Sequence, residues 1–215
     1  MPKHSLANKI LLAGCLLLAA CGAEKAAEPL PILGPMELVQ ASDGSIDTLF
    51  TPYPWFAFED QQGLVVNPDS LTGQVLLVDF FFSTCPSICK DLLSSLQKVY
   101  AEHGNDPRLR ILSHSVDGTY DTREVLAAYA ENAGATNRNW LFLRGEDAEV
   151  YNIAKTAYLS YVAVDSTAPG GFLHSGHLIL LDVNRKIRGV YDGTSAEEVA
   201  RLLQDLPNLL NSGGA

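Results

Sequence analysis

The sequence predicts an α/β fold with a central mixed sheet flanked by helices and preceded by an N-terminal extension. Three observations predict it: a nearly continuous apolar run at residues 75–82, apolar residues at helical spacing directly after it, and alternating strand-like and helix-like segments further on. With 47% hydrophobic and 19% charged residues in 215, the chain can bury the core of one ordinary domain. This composition excludes an intrinsically disordered protein.

Residues 1–20 have the pattern of a secretion signal. Lys3 and Lys9 precede an apolar run, residues 10–20, that is too short to span the roughly 30 Å of bilayer hydrocarbon. The run ends in Leu-Ala-Ala-Cys, and small residues directly before a cysteine resemble the lipoprotein box of bacteria. We therefore expect a lipidated Cys21 that anchors the chain to a membrane. The domain would then face the periplasm or the cell exterior, an oxidising compartment.

Residues 21–45 are rich in Ala, Pro and Glu without sustained periodicity, which predicts a flexible tether from Cys21 to a folded domain over residues 46–211. The formal net charge is -10 and the sequence pI is near 4.8. A nucleic-acid partner is excluded on this ground. The acidic domain also has little electrostatic reason to lie flat on anionic lipid.

The first half of the domain alternates strands and helices. The run at residues 75–82 predicts a buried central strand, and apolar residues recur at helical spacing over residues 88–100. Residues 109–116 have the length and composition of a second strand. Asp121, with a glutamate three residues later, predicts a capping box that opens a helix up to residue 132.

The second half predicts a short strand over residues 140–143, a helix over 147–157, and a hairpin formed by 177–181 and 186–191. Ser195, with glutamate at the capping-box distance, starts a last helix. Strand, helix, strand, helix, hairpin and closing helix follow in the order of a thioredoxin-like fold. Order alone leaves other α/β folds open.

Two cysteines lie where the first core strand meets its helix. At a helix start, the positive end of the backbone dipole would favour the Cys85 thiolate, and Pro86 suits a first helical turn. Cys89 lies four residues later, near enough for a disulfide or a shared metal ion. A structural disulfide is disfavoured because closing so short a loop removes little chain entropy. A redox dithiol and a metal site both remain open, because three residues separate the cysteines instead of the two of an ordinary thioredoxin motif.

Two thiolates need a third ligand for most metals, and histidines are the candidates. His174 and His177 flank Ser-Gly at the entrance to the late hairpin. In a thioredoxin-like sheet this segment passes beside the cysteine-bearing helix start, so a histidine there can reach both sulfurs. His114 lies within a predicted strand, and we expect it to be an ordinary polar strand position.

Three blocks of the sequence resemble the SCO/SenC family. They are Asp-Phe-Phe-Phe-Ser-Thr-Cys-Pro-Ser-Ile-Cys at 79–89, the segment at 113–126, and Gly-Gly-Phe-Leu-His-Ser at 170–175 followed by Asp182. The similarity runs over residues 56–206, and three blocks in the same order are more specific than any one alone.

The resemblance implies a thioredoxin fold that binds one copper ion, as Cu(I) or Cu(II), through Cys85, Cys89 and His174. It also implies a role in assembling the CuA centre of cytochrome c oxidase subunit II. Two soft thiolates and one imidazole agree with Cu(I), whereas zinc prefers a fourth ligand. His177 adds a second imidazole, and Leu173 stands where the family often has Asp, so the choice of ring is not fixed by sequence alone.

The sequence therefore predicts an extracytoplasmic copper chaperone. It would pass copper to cytochrome c oxidase subunit II or another acceptor by ligand exchange, or prepare the acceptor's thiols, and a Cys85–Cys89 disulfide would prevent loading. The alternative is a thioredoxin-type thiol-disulfide oxidoreductase without copper. It is disfavoured because no proline directly precedes the hairpin strand. A peroxidase is disfavoured because the sequence has no arginine placed to bind peroxide. Whether the protein is also an enzyme stays open.

Overall fold

A computed structural model describes residues 29–212 of the chain. The strands are β1 (Met36–Gln40), β2 (Ile46–Phe50), β3 (Phe58–Asp60), β4 (Val65–Val66), β5 (Val75–Phe81), β6 (Leu109–Ser115), β7 (Trp140–Arg144), β8 (Val162–Val164), β9 (Phe172–His174), β10 (His177–Leu181) and β11 (Ile187–Asp192). The helices are α1 (Cys89–His103), α2 (Arg123–Ala133), α3 (Asp147–Ala157) and α4 (Ala196–Ser212).

Seven strands form one mixed sheet in the order β11-β10-β5-β6-β7-β3-β4. The three central strands β5, β6 and β7 run parallel, while β10 is antiparallel to β5. All seven residues of β5 are buried, which explains its nearly continuous apolar sequence. The predicted central mixed sheet flanked by helices is confirmed.

The helices begin close to the predicted positions, with one different cap. Thr122, not Asp121, is the N-cap of α2, and its hydroxyl accepts a hydrogen bond from the Val125 N–H. The prediction of Asp121 as the cap was wrong, because this carboxylate is buried and accepts hydrogen bonds elsewhere. Ser195 caps α4 as predicted, since its hydroxyl accepts from the Glu198 N–H at 3.4 Å.

Residues 29–45 differ from the expected irregular tether. β1 pairs with β2 in a separate two-stranded sheet, and Leu33 bridges Ile187 at the edge of the main sheet. The guanidinium of Arg188 donates to the Leu30 carbonyl at 2.6 Å. Most positions of β1 and β2 are exposed, so neither strand has the apolar run that marks the buried strands, and the sequence did not indicate this N-terminal hairpin.

The predicted signal peptide and the lipidated Cys21 lie outside the described residues. Within residues 29–212, no helix has both the length and the apolar character needed to cross a bilayer.

His114 occupies an apolar aromatic box and is not the ordinary polar position that we expected. It is fully buried on β6, and neither ring nitrogen has a hydrogen-bond partner. Phe80 stacks on its ring with centroids 5.3 Å apart, and Tyr158 lies 5.5 Å away. Burial lowers the pKa of His114 from 6.5 to about 3.

We expect His114 to make folding sensitive to acid. The unfolded chain binds a proton here below pH 6.5 while the folded chain stays neutral down to about pH 3, so this residue's contribution to stability falls with pH in that window. Between pH 8 and pH 5, wild type should lose about 2 kcal/mol of unfolding free energy relative to His114→Phe. Urea unfolding of both proteins at the two pH values measures the difference, and equal losses in both would contradict it.

Candidate metal centre

Cys85 and Cys89 lie at the junction of β5 and α1, but only Cys89 belongs to the helix. α1 begins at Cys89, and Cys85 sits in the preceding turn, where its N–H donates to the Phe82 carbonyl at 3.1 Å. The predicted helix start at Cys85 was therefore wrong. The physical reason is Pro86, because a residue directly before proline is disfavoured in the helical conformation.

His174 is the last residue of β9, which pairs with β8 in a small hairpin separate from the main sheet. The Ser175 N–H donates to the Tyr161 carbonyl, which ties the end of this hairpin in place. The ring of Phe82 meets the His174 imidazole edge-on, with centroids 5.8 Å apart. These contacts hold the half-buried imidazole against the cysteine loop.

The structure brings the three predicted ligands together. One donor atom each of Cys85, Cys89 and His174 lies within 4.8 Å of the other two, and His174 Nε2 is 3.3 Å from Cys89 Sγ. His174 Nδ1 lies 3.3 Å from the Ser175 carbonyl, and with a proton on Nδ1 the Nε2 lone pair is directed at the sulfurs. Both cysteines are free thiols.

His177 is not part of this group of donor atoms among the described residues. It opens β10 and pairs across the hairpin with Asp192, whose pKa is lowered mainly by hydrogen bonds from Thr194 and also by the charge of His177. The structure thus resolves the choice between the two rings in favour of His174 as the imidazole beside the sulfurs.

The two thiols have pKa values shifted in opposite directions. Burial alone would raise the pKa of Cys85, but hydrogen bonds from the Cys89 thiol and from the Ser87 N–H outweigh it and lower that pKa. The pKa of Cys89 lies well above its usual range, chiefly through burial and then through its hydrogen bond to Cys85. Cys85 is therefore the more readily ionised thiol of the pair.

Two further titratable groups, His174 and Asp79, affect the electrostatics of the cysteine pair. Burial lowers the pKa of His174, which favours the neutral imidazole that a metal requires. Asp79, on β5, is 2% exposed and accepts a hydrogen bond from the Ser113 hydroxyl at 2.5 Å. Burial raises the pKa of Asp79 to about 7, and the charge of its carboxylate contributes to the raised pKa of Cys89.

Asp121 positions the cysteine loop, a role that the sequence did not indicate. Its carboxylate accepts hydrogen bonds from the Ser83 N–H at 3.2 Å, from the Ser83 hydroxyl, and from the Ser115 hydroxyl at 2.5 Å. The loop after β5 is thereby tied to the end of β6. The one sequence signal for this role is that Asp121 follows the polar end of β6 by six residues.

Asp121→Ala is expected to destabilise the fold by about 2–4 kcal/mol, because it leaves the buried Ser115 hydroxyl and the half-buried Ser83 N–H without an acceptor. Chemical denaturation at pH 7 measures the loss. Asp121→Asn keeps one carbonyl acceptor and should recover a good part of it. A change below about 0.5 kcal/mol in Asp121→Ala would contradict the positioning role.

The donor set fits a soft, low-coordinate metal ion. Two thiolates and one neutral imidazole are the ligands that Cu(I) prefers, and no carboxylate of the described residues belongs to the group. Zinc would accept the same atoms but favours a fourth ligand. The chemistry of the donors therefore favours copper over zinc.

The fold and the site define a thioredoxin-like protein whose dithiol faces a histidine. The family model SCO1/SenC matches residues 51–211, most of the chain. A relative in Bacillus subtilis, the "SCO1 protein homolog", is 30% identical over 156 residues, which cover 70% of this chain and 79% of that protein. The chain belongs to the SCO1/SenC family.

Solved structures confirm the thioredoxin-like fold predicted from the sequence. A SCO1/SenC family lipoprotein of Bacillus anthracis superposes with a TM-score of 0.66 at 25% identity, covering 73% of this chain and 93% of that one. BsSco, a member of the Sco family of cytochrome c oxidase assembly proteins, superposes with a TM-score of 0.65 at 25% identity, covering 74% of this chain and 92% of that one. ScoI of Bradyrhizobium japonicum, solved with copper bound, superposes with a TM-score of 0.58 at 24% identity, covering 70% of this chain and 97% of that one.

Proposed function

We propose that the protein is an extracytoplasmic copper chaperone. It holds one copper ion between Cys85, Cys89 and His174 and passes it to the CuA centre of cytochrome c oxidase subunit II. The observation that carries this proposal is the convergence of the three donor atoms within 4.8 Å. The copper-bound ScoI structure and the assembly role stated for BsSco support the same conclusion.

Transfer proceeds by ligand exchange at the cysteine loop, where Cys85 is 9% and Cys89 is 4% exposed. Cys85 lies in a turn outside the helix, and its neighbour across the site, His174, is only half-buried on a small hairpin. A three-coordinate ion leaves room for an incoming acceptor thiolate to bind before an old ligand departs. Cys85 exchanges first, because it is followed by the exposed Pro86 and Ser87 and is the less buried of the two sulfurs.

Lipid attachment at Cys21 keeps the chaperone at the membrane in which its acceptor resides. The signal at residues 1–20 would be removed, and residues 22–29 would lead from the lipid to the fold, which begins with the contacts of Leu30 and Leu33 and with the N-terminal β1–β2 pair. The description of the Bacillus anthracis relative as a lipoprotein supports this arrangement.

The test is transfer of copper to a purified soluble CuA domain, with metal content measured after the two proteins are separated. Wild type loaded with Cu(I) should give up most of its copper. His174→Ala should bind Cu(I) more weakly and deliver less of it, whereas His177→Ala, the matched control three residues away, should behave as wild type. Copper that remains on wild type, or an equal defect in both variants, would contradict the proposal.

A thiol-disulfide oxidoreductase is the second candidate, and the opposite pKa shifts of the two cysteines favour it. A thiol that ionises easily beside a buried partner suits attack on a disulfide followed by resolution of the mixed disulfide. In this case the protein would reduce the cysteines of the CuA domain. His174→Ala would leave that reduction intact, which separates the two functions.

A further inference from the structure

Exposed apolar side chains concentrate near the start of the described chain. Fourteen large hydrophobic residues of the described chain are exposed, and six of them lie between residues 32 and 49. That stretch is a small part of residues 29–212, so their clustering indicates a contact surface rather than scattered exposure. The six are Ile32, Leu33, Met36, Leu38, Ile46 and Leu49.

The strand register places three of them on one face of the N-terminal hairpin, β1 and β2. Met36 pairs with Phe50 and Gln40 pairs with Ile46, so Met36, Leu38 and Ile46 share a face. Leu38 is 66% exposed and Ile46 is 73% exposed. The opposite face carries the acidic Glu37 and Asp47 as well as Val39 and Leu49. The two strand carboxylates therefore lie on the face opposite Met36, Leu38 and Ile46, and among the described residues the two strands pair only with each other.

The hairpin lies at the end of the sheet opposite the candidate metal centre. Lys186 Nζ is 4.4 Å from the centre of the Phe50 ring, and Arg185 in the same turn donates to the Gln74 carbonyl directly before β5. Cys85 follows the other end of β5, about 20 Å away along seven residues. A surface that covered the hairpin would leave the metal centre facing away from it.

The covalent chain limits how far this end can be from the proposed lipid. The side chain of Arg188, 5% exposed, holds the Leu30 carbonyl with two nitrogens, at 3.0 and 2.6 Å. Nine residues lead from Cys21 to Leu30, which reach at most about 30 Å in any conformation. Residues 30–50 are thus the part of the fold kept nearest the bilayer.

We propose that the apolar face of the N-terminal hairpin docks on the lipid bilayer and orients the metal centre away from it. This inference rests on the proposed lipid attachment at Cys21. The acidic residues Glu37, Asp43 and Asp47 on the same hairpin disfavour anionic lipid, so the surface suits zwitterionic headgroups. Lys186 at the base of the face is placed to meet their phosphates.

Two matched tryptophan reporters test the contact. Leu38→Trp and Val65→Trp are each placed in a Trp55→Phe background, because Leu38 and Val65 are 66% and 64% exposed and the remaining Trp140 is fully buried. Each full-length lipidated chain is reconstituted in phosphatidylcholine vesicles with and without brominated acyl chains. Emission of the Leu38→Trp reporter should shift to shorter wavelength and be quenched by bromine, and that of Val65→Trp should not.

Adding Ile46→Glu to the Leu38→Trp chain should abolish the quenching. Equal quenching of the two reporters, or no effect of Ile46→Glu, would overturn the proposal. A Leu38→Trp signal that responds to protein concentration but not to bromine would overturn it in favour of a second copy of the chain. Mass spectrometry of the purified protein reports the lipid separately, and its absence would overturn the anchor and the docking together. Copper binding measured on the same samples distinguishes failure of the docking from failure of the chaperone function.

Discussion

Replacing either Cys85 or Cys89 by serine is expected to weaken Cu(I) binding by about 100- to 1000-fold. Structural sites with four ligands gain roughly 10–16 kcal/mol from the metal, so one ligand accounts for about 3–4 kcal/mol, or a factor of that size. A hydroxyl does not replace a thiolate for a soft ion. The affinity is measured by anaerobic competition of the reduced protein against a Cu(I) chelator.

Ser87→Ala is the matched control for the cysteine substitutions. The Ser87 hydroxyl lies 3.6 Å from Cys85 Sγ but supplies no thiolate, so its loss should weaken binding by less than about tenfold. If one cysteine proved dispensable while the other carried all of the affinity, the shared site would be refuted.

Oxidation of Cys85 and Cys89 to a disulfide is expected to abolish Cu(I) binding altogether. The two donor sulfurs lie within 4.8 Å of each other, and a disulfide draws them to about 2.0 Å while removing both thiolates. The histidine alone would then remain as a ligand. Copper bound per chain, measured after gel filtration of oxidised and re-reduced protein, should fall to background and then recover.

Loading with copper should in turn protect the pair from oxidation, because the ion occupies the lone pairs that an oxidant attacks. An oxidised chain that binds copper as tightly as the reduced chain would rule out redox gating. It would also mean that the thiolates are not the principal ligands.

The sequence predicted the central strands and most helix positions because their signals are strong. The run at residues 75–82 is apolar since β5 is buried on both faces, and α3 spans the predicted residues 147–157. The strands of two or three residues, β3, β4, β8 and β9, are too short to produce a pattern. Their pairing depends on distant parts of the chain, which local propensity does not reveal.

The site was predicted in composition but not in geometry. The spacing of the cysteines and the position of His174 were read directly from the sequence, yet the choice between His174 and His177 depends on how β8 and β9 pair. The start of α1 at Cys89 reflects the restriction that Pro86 places on Cys85. Asp121 was wrongly assigned to a helix cap. Its hydrogen-bond partners, Ser83 and Ser115, lie after β5 and at the end of β6, and local sequence does not show that they meet.

X-ray absorption at the copper edge of the Cu(I)-loaded full-length chain reports which atoms hold the ion. We expect two sulfur scatterers and one nitrogen scatterer around each ion, and loss of the nitrogen in His174→Ala but not in His177→Ala. A shell of sulfur alone, or a nitrogen contribution that persists unchanged in His174→Ala, would contradict this expectation.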